Sequence, residues 1–162
     1  MPLSVAAAMF QVRGQFDLKL DAKGRLGLPA RLREKLGDHE LVLTHYDGCI
    51  QVYTAQRWRK MERQFRKLSM FSERDRAFLL TFVAGAAEVS VDTAGRINIP
   101  ASLRRMAGLE KNVVFSSWMG LAEIWNPERL IAKQAAAQDI VKQAGGLEDF
   151  QVFDDEDEED DF

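Results

Sequence analysis

Arg25 and Arg96 each close an Asp-x-x-Gly-Arg motif, Asp21-Ala-Lys-Gly24-Arg25 and Asp92-Thr-Ala-Gly95-Arg96, with 71 residues between equivalent positions. The aspartate and glycine suit a turn. An Asp side chain accepts hydrogen bonds from the backbone ahead of it, and Gly takes a positive φ at little steric cost. Asp21, Gly24, Asp92 and Gly95 are therefore read as turn-forming, and their carboxylates are used up in that role. A turn does not require arginine at its end, let alone twice. With Leu26 and Leu28 pointing inward, Arg25 points outward on the side of Asp21, and the same parity places Arg96 beside Asp92. One reading is an exposed Asp–Arg pair that only finishes a hairpin, worth ~0–1 kcal/mol. The other is a projecting basic edge, in which the planar guanidinium takes guanine O6 and N7 together and Lys23 at the turn tip joins Arg25.

Other chemistries find little support. His39 and His45 are six residues apart on different elements with only Cys49 near, a poor set for a metal. Cys49 aligns with Leu121 in the second repeat, which marks it as a small buried hydrophobe. No Ser/His/Asp arrangement and no glycine-rich phosphate loop is evident. The expectation is a protein without catalytic residues, metal, cofactor or small-molecule substrate.

The motifs belong to a longer repeat. Asp21 to Gly37 reappears as Asp92 to Gly108 with eight of 17 positions identical, and Leu41–Gly48 and Val52-Tyr53 are echoed by Val113–Gly120 and Ile124-Trp125. Before the first turn, Phe16, Leu18 and Leu20 alternate with polar residues, as a half-buried strand does. Leu26 and Leu28, or Ile97 and Ile99, form the return strand. Pro29 and Pro100 suit the first position of a helix of about eight residues that Gly37 and Gly108 would end. Two more strands follow in each unit, near 41–45 and 50–53 and again at 113–117 and 121–125. Thr54 and Ser72 cap two linker helices, and Asn126-Pro127 starts a last helix that runs to about Gln143 and stops at Gly145-Gly146. Half a barrel cannot bury both faces of four short strands, so the two units should interlock their hairpins into one core. The expected fold is α+β: tandem duplicated swapped-hairpin β-barrel units with flanking helices. Its segments are an extension over 1–12, a first unit over 13–58, a helical linker over 59–84, a second unit over 85–130, a helix over 131–145 and a disordered acidic tail over 146–162.

The 162 residues carry 22 Lys+Arg and 25 Asp+Glu, a net −3. That average hides a division. Glu148–Phe162 holds ten carboxylates and no base, leaving 22 bases against 15 acids over residues 1–147. A basic body with an acidic tail is the asymmetry of proteins that meet polyanions. A single cysteine fits a reducing compartment. The longest apolar run, Ala77 to Ala87, falls short of the ~20 residues a bilayer crossing needs, and the apolar start Met1 to Phe10 lacks the basic opening of a secretion signal. The reading is cytoplasmic, without membrane partners.

The paired Asp-x-x-Gly-Arg motifs, each leading into Pro-Ala and a short helix, resemble the MraZ family of bacterial transcriptional regulators over roughly Arg13 to Gln143. In that family two swapped-hairpin units of the AbrB/SpoVT type lie in tandem. The resemblance implies sequence-specific binding to double-stranded DNA. The target would be repeated short boxes in the promoter of the protein's own gene, at the head of the division and cell wall cluster. It also implies a homo-oligomeric ring of many subunits and a nucleoid-associated location, with no cofactor. It points to Lys23, Arg25 and Arg96 as the DNA-binding residues. The family opens Met-Phe-x-Gly, whereas here Gln11-Val12 separates Met9-Phe10 from Arg13-Gly14. Residues 1–8 are thus either an extension or lie ahead of a start at Met9. Lys23 is matched by Ala94, in keeping with a less basic second motif.

Arg13, Arg31, Arg33, Arg104 and Arg105 fall outside what the resemblance singles out, and phosphate contact or plain solvation are both open for them. Arg59, Lys60, Arg63, Arg66 and Lys67 form one face of a linker helix, read as solvated. The opposite face, Trp58, Met61 and Phe65 with Phe78, Leu79 and Phe82, is read as core or subunit interface. The tail run Asp154–Asp161 is read as a solubilising segment or as a competitor for the basic edge. Two rival readings stand beside DNA-binding regulation. One is a swapped-hairpin antitoxin or adaptor, whose main partner is a protein. The other is an enzyme on a barrel, which would need a clustered acid/base set that the sequence lacks.

Overall fold

The computed structural model describes residues 13–36 and 40–146. The N-terminal extension, the expected helix stop at Gly37, His39 and the acidic tail lie outside the described residues.

Strand β1 (Gly14–Lys19) runs into the first turn and β2 (Arg25–Gly27) leaves it. Helix α1 (Ala30–Leu36), β3 (Glu40–Tyr46) and β4 (Cys49–Thr54) complete the first repeat. The linker forms α2 (Ala55–Phe65) and α3 (Glu73–Phe78), which runs on as a π-helical turn, Leu79–Val83. The second repeat gives β5 (Ala87–Ser90), β6 (Arg96–Asn98), α4 (Ala101–Ala107), β7 (Asn112–Trp118) and β8 (Leu121–Trp125), followed by α5 (Pro127–Gln143). The chain divides into two compact units, residues 1–129 and 130–162, and every strand lies in the first.

The strands interlock between repeats. A six-stranded antiparallel sheet has the order β1-β7-β8-β4-β3-β5, and β2 pairs with β6 in a separate two-stranded ribbon. The first strand of each repeat therefore pairs with the third strand of the other: Phe16 faces Phe115 across β1–β7, and Leu41 faces Val89 across β3–β5. The hairpins are exchanged between repeats within one chain, as the sequence pattern anticipates.

One face of the sheet, the inward face of the ribbon and the short helices α1 and α4 enclose the main core. Leu26, Leu28 and Leu32 meet Ile97, Ile99 and Leu103 there, above Leu43, Ile50, Phe115 and Ile124. Fully burying one such side chain stabilises by about 1.5–3 kcal/mol. Each short helix begins one residue later than Pro29 or Pro100. Pro100 has the extended backbone of a cap (φ −56°, ψ 142°), and Gly108 ends α4 in the left-handed region at φ 62°.

The other face of the sheet is covered at β3 and β4. Val42 and Tyr53 pack against Trp58 and Phe82, with Met61, Phe65 and Phe78 around them. The apolar side of the linker is thus core. Thr54 and Ser72 cap the linker helices as expected, accepting from the Arg57 and Asp75 backbone at 3.1 and 3.3 Å. The Asp75 carboxylate reaches back to the Ser69 N–H at 3.0 Å instead of closing a capping box on Ser72.

Phe82 is the hub of this second core. Its ring stacks on Phe78 and Trp58 at centroid distances of 5.0 and 5.5 Å and meets Phe65 edge-on at 5.7 Å. Its carbonyl accepts a hydrogen bond from buried Thr44 Oγ1 at 2.6 Å. Phe82→Ala is expected to lose about 3–5 kcal/mol of unfolding free energy in urea titration. Leu80→Ala, at an exposed position of the same turn, should stay within about 0.5 kcal/mol.

Candidate nucleic-acid interface

Both turns are built alike. Asp21 Oδ1 accepts from the Lys23 and Arg25 backbone, each at 2.9 Å, and Asp92 Oδ1 accepts from Ala94 and Arg96 at the same distances. Gly24 and Gly95 donate to the carbonyls of Asp21 and Asp92 at 3.0 and 2.9 Å and hold φ at 81° and 76°. Only glycine takes that backbone without strain.

The second carboxylate oxygen of each turn fixes the arginine. Asp21 Oδ2 accepts from Arg25 Nε at 2.6 Å, and Asp92 Oδ2 from Arg96 Nε at 3.0 Å. These pairs are one-third or more exposed, so they add little to stability. What they fix is direction. The Nη nitrogens of both arginines make no hydrogen bond among the described residues and remain available as donors. The Asp–Arg pairing of the first reading is present in both turns, and it leaves the Nη donors on which the second reading depends facing outward.

The ribbon sets the two arginines in relation. Its register pairs Arg25 with Asn98, Leu26 with Ile97, and Gly27 with Arg96. Leu26 and Ile97 point into the core, so Arg25, Gly27, Arg96 and Asn98 share the outward face. Lys23 stands exposed at the tip beside Arg25.

Each turn is also gripped by the other repeat. Leu28 N donates to Gly95 O and Ile99 N to Gly24 O, both at 2.9 Å. A Cβ on Gly24 would lie 2.6 Å from Arg104 Cζ, and one on Gly95 would lie 2.0 Å from Arg33 Cδ. Arg104 Nε donates to the Ile99 carbonyl at 3.0 Å. Arg33 and Arg104 therefore lie over the turn of the opposite repeat, and each brings a further positive charge next to a motif. Sequence reasoning left these two open, although both fall at the same place in the repeat. Arg31 is exposed on α1, and Arg13 precedes β1 at the end away from the turn.

The carboxylates are held ionised. The Arg25 backbone N–H is the leading cause that keeps Asp21 below the ordinary 3.8, and the Arg25 guanidinium and Lys23 N–H act the same way. Arg96 does this for Asp92 through its N–H and then its side chain. His45 is shifted down by partial burial and by the charge of Arg129, and its Nε2 has no partner among the described residues. Buried Cys49 contacts the Tyr46 carbonyl and Glu123. Among the described residues no group of three His, Cys, Asp or Glu is placed to hold a metal ion, and no helix is long and apolar enough to cross a membrane.

Fold and site together define a class: tandem swapped-hairpin units whose exchanged strands form a ribbon carrying one arginine from each repeat. A family model described as “MraZ protein, putative antitoxin-like” matches residues 11–81 and again 82–143. The chain belongs to the MraZ family. It is 40% identical over 115 residues to the “Transcriptional regulator MraZ” of Thermoanaerobacter sp. (strain X514), covering 71% of this chain and 80% of that one. Proteins of the same name from Heliobacterium modesticaldum and Lactiplantibacillus plantarum are 42% and 44% identical, over 72% and 71% of this chain and 81% and 82% of theirs.

Because the folded pKa values of Asp21 and Asp92 lie below the ordinary 3.8, the stability they contribute is present above that pH and lost as pH falls through the folded values. The doubly substituted Asp21→Asn, Asp92→Asn protein should melt below wild type at pH 7. Thermal melts should bring the two together as pH falls from about 3.8 through the lowered folded values, below which the carboxylates are neutral in both the folded and the unfolded chain.

Proposed function

We propose that this chain is a sequence-specific DNA-binding transcriptional regulator that uses the β2–β6 ribbon as its reading edge. The observation that carries the proposal is the shared outward face of Arg25 and Arg96, each anchored through Nε with its Nη donors unspent. A two-stranded ribbon fits the major groove, and arginine is the commonest reader of guanine there. Lys23 adds a contact at one tip. Arg33 and Arg104, over the turns, contribute positive charge toward phosphates, which set position while the motif arginines read bases. Arg31, exposed on α1, and Arg13, ahead of β1, are further phosphate candidates. The names of the family relatives support the regulatory reading.

In this reading the chain acts in the cytoplasm at the nucleoid. It represses its own promoter at the head of the division and cell wall cluster by engaging tandem short boxes as a ring-shaped homo-oligomer. Linking subunits raises the effective concentration at adjacent boxes, so modest single-box affinity yields tight overall binding.

The test is fluorescence anisotropy with DNA from upstream of the chain's own gene against a shuffled duplex, at two salt concentrations. Wild type should prefer the native fragment. Arg25→Ala or Arg96→Ala should weaken that preference about 5- to 150-fold, the span of one bidentate base contact. Each phosphate neutralised should add ~0.9 to the logarithmic salt slope. Equal weak binding to both duplexes, unchanged by either substitution, would overturn the reading and direct the search to a protein partner.

A further inference from the structure

The ribbon is not symmetric, although the fold that makes it nearly is. Under the 71-residue repeat, Gly27 corresponds to Asn98 and Lys23 to Ala94. The register sets Asn98 opposite Arg25 and leaves Gly27 opposite Arg96. Lys23 sits at the turn leading into Arg25. Both differences therefore fall at the same end. One end of the outward face presents Lys23, Arg25 and Asn98, and the other presents Ala94, Arg96 and Gly27. Asn98 is exposed, and its amide makes no hydrogen bond among the described residues.

We infer that Asn98 is a base-reading residue that gives the interface a direction. It takes an adenine in the base pair next to the guanine read by Arg25. An asparagine amide donates to adenine N7 and accepts from its N6 amino group, a pairing as specific as arginine with guanine. Directly cross-strand residues have Cβ atoms about 5 Å apart, against a rise of about 3.4 Å per base pair, so Arg25 and Asn98 reach neighbouring pairs. The Arg96 end offers one arginine and no amide, so it reads its guanine alone. The DNA box is then non-palindromic, and each subunit binds it in one orientation. This inference rests on the ribbon being the DNA-reading edge.

Gly27 supplies a converse test. Its backbone is not in the left-handed region, and a Cβ built there meets no atom within 4 Å, so Gly27→Asn places an amide opposite Arg96 without a clash. The experiment selects binding sites from a randomised duplex pool with wild type, Asn98→Ala, Gly27→Asn and Arg25→Ala, then titrates the selected duplexes by anisotropy. Thermal melts confirm that each variant folds. Wild type should select an adenine beside one guanine. Asn98→Ala should lose discrimination at that pair alone, by about 5- to 150-fold, and keep the guanine preference. Gly27→Asn should add an adenine preference beside the other guanine and let the inverted box bind. An Asn98→Ala profile identical to wild type, or weaker by the same factor on every sequence, would overturn the inference while an altered Arg25→Ala profile left the ribbon reading standing. An unaltered Arg25→Ala profile would overturn both.

Discussion

The exchange of hairpins between the two repeats is the constraint on which everything else depends. A two-stranded ribbon of three residues per strand has no stability alone in water. Here its inward residues, Leu26 and Ile97, are almost wholly excluded from solvent, and its flanks are bonded crosswise through Leu28 to Gly95 and Ile99 to Gly24. Within its own repeat β2 is met by the isolated bridge Leu20–Leu26, and its strand ladder comes from β6 of the other repeat. The surface that presents Arg25 and Arg96 therefore comes into being only when both repeats have folded together. Core and arginine-bearing edge are two faces of the same six paired residues.

That origin explains how arginines can be crowded at the turns. Arg104 lies over the turn of Arg25, and Arg33 over that of Arg96. Like charges brought close repel. The repulsion is offset locally by Asp21 and Asp92, each of which takes one edge of its arginine while satisfying two backbone donors. What remains is outward-facing donor capacity that a polyanion can satisfy with net release of its counterions. In this reading the Asp–Arg pair is the means by which a flexible side chain is presented in a fixed direction, which reduces the rotamer entropy lost on binding.

The sequence disclosed local structure better than partnership. Period-two alternation around Asp21 and Asp92 placed the strands and the parity of both arginines, because those depend on neighbours within a few residues. The run Leu41-Val42-Leu43 carries apolar residues on both parities, and both faces of β3 are indeed covered, one by the ribbon and one by the linker. Nothing local says whether Trp58, Met61 and Phe65 find apolar partners within the chain. That outcome depends on Val42 and Tyr53 lying across the sheet from the main core. The π-helical turn at Leu79–Val83 carries no composition signal. The reach of Arg33 and Arg104 to the opposite turn was encoded only as a coincidence of position between repeats, and it acquired meaning once the strands were seen to cross over.

Comparison of the two repeats also separates packing from function. In the core, changes compensate: Leu43 becomes Phe115 while Ile50 becomes Ala122, a gain and a loss of volume on one sheet face, as close-packed interiors demand. Leu26 and Ile97, Leu28 and Ile99, and Leu32 and Leu103 stay matched in size. On the outward face no such bookkeeping applies, because exposed positions have no fixed volume to fill. Divergence there is free: Lys23 and Asn98 flank Arg25 while Ala94 and Gly27 flank Arg96, and Thr93 stands in the second turn where the first has Ala22. Packing gives no reason for this polarity, since a Cβ at Gly27 would meet open space. In the proposed reading, a ligand that is itself directional, such as a non-palindromic duplex, would supply the reason that packing does not.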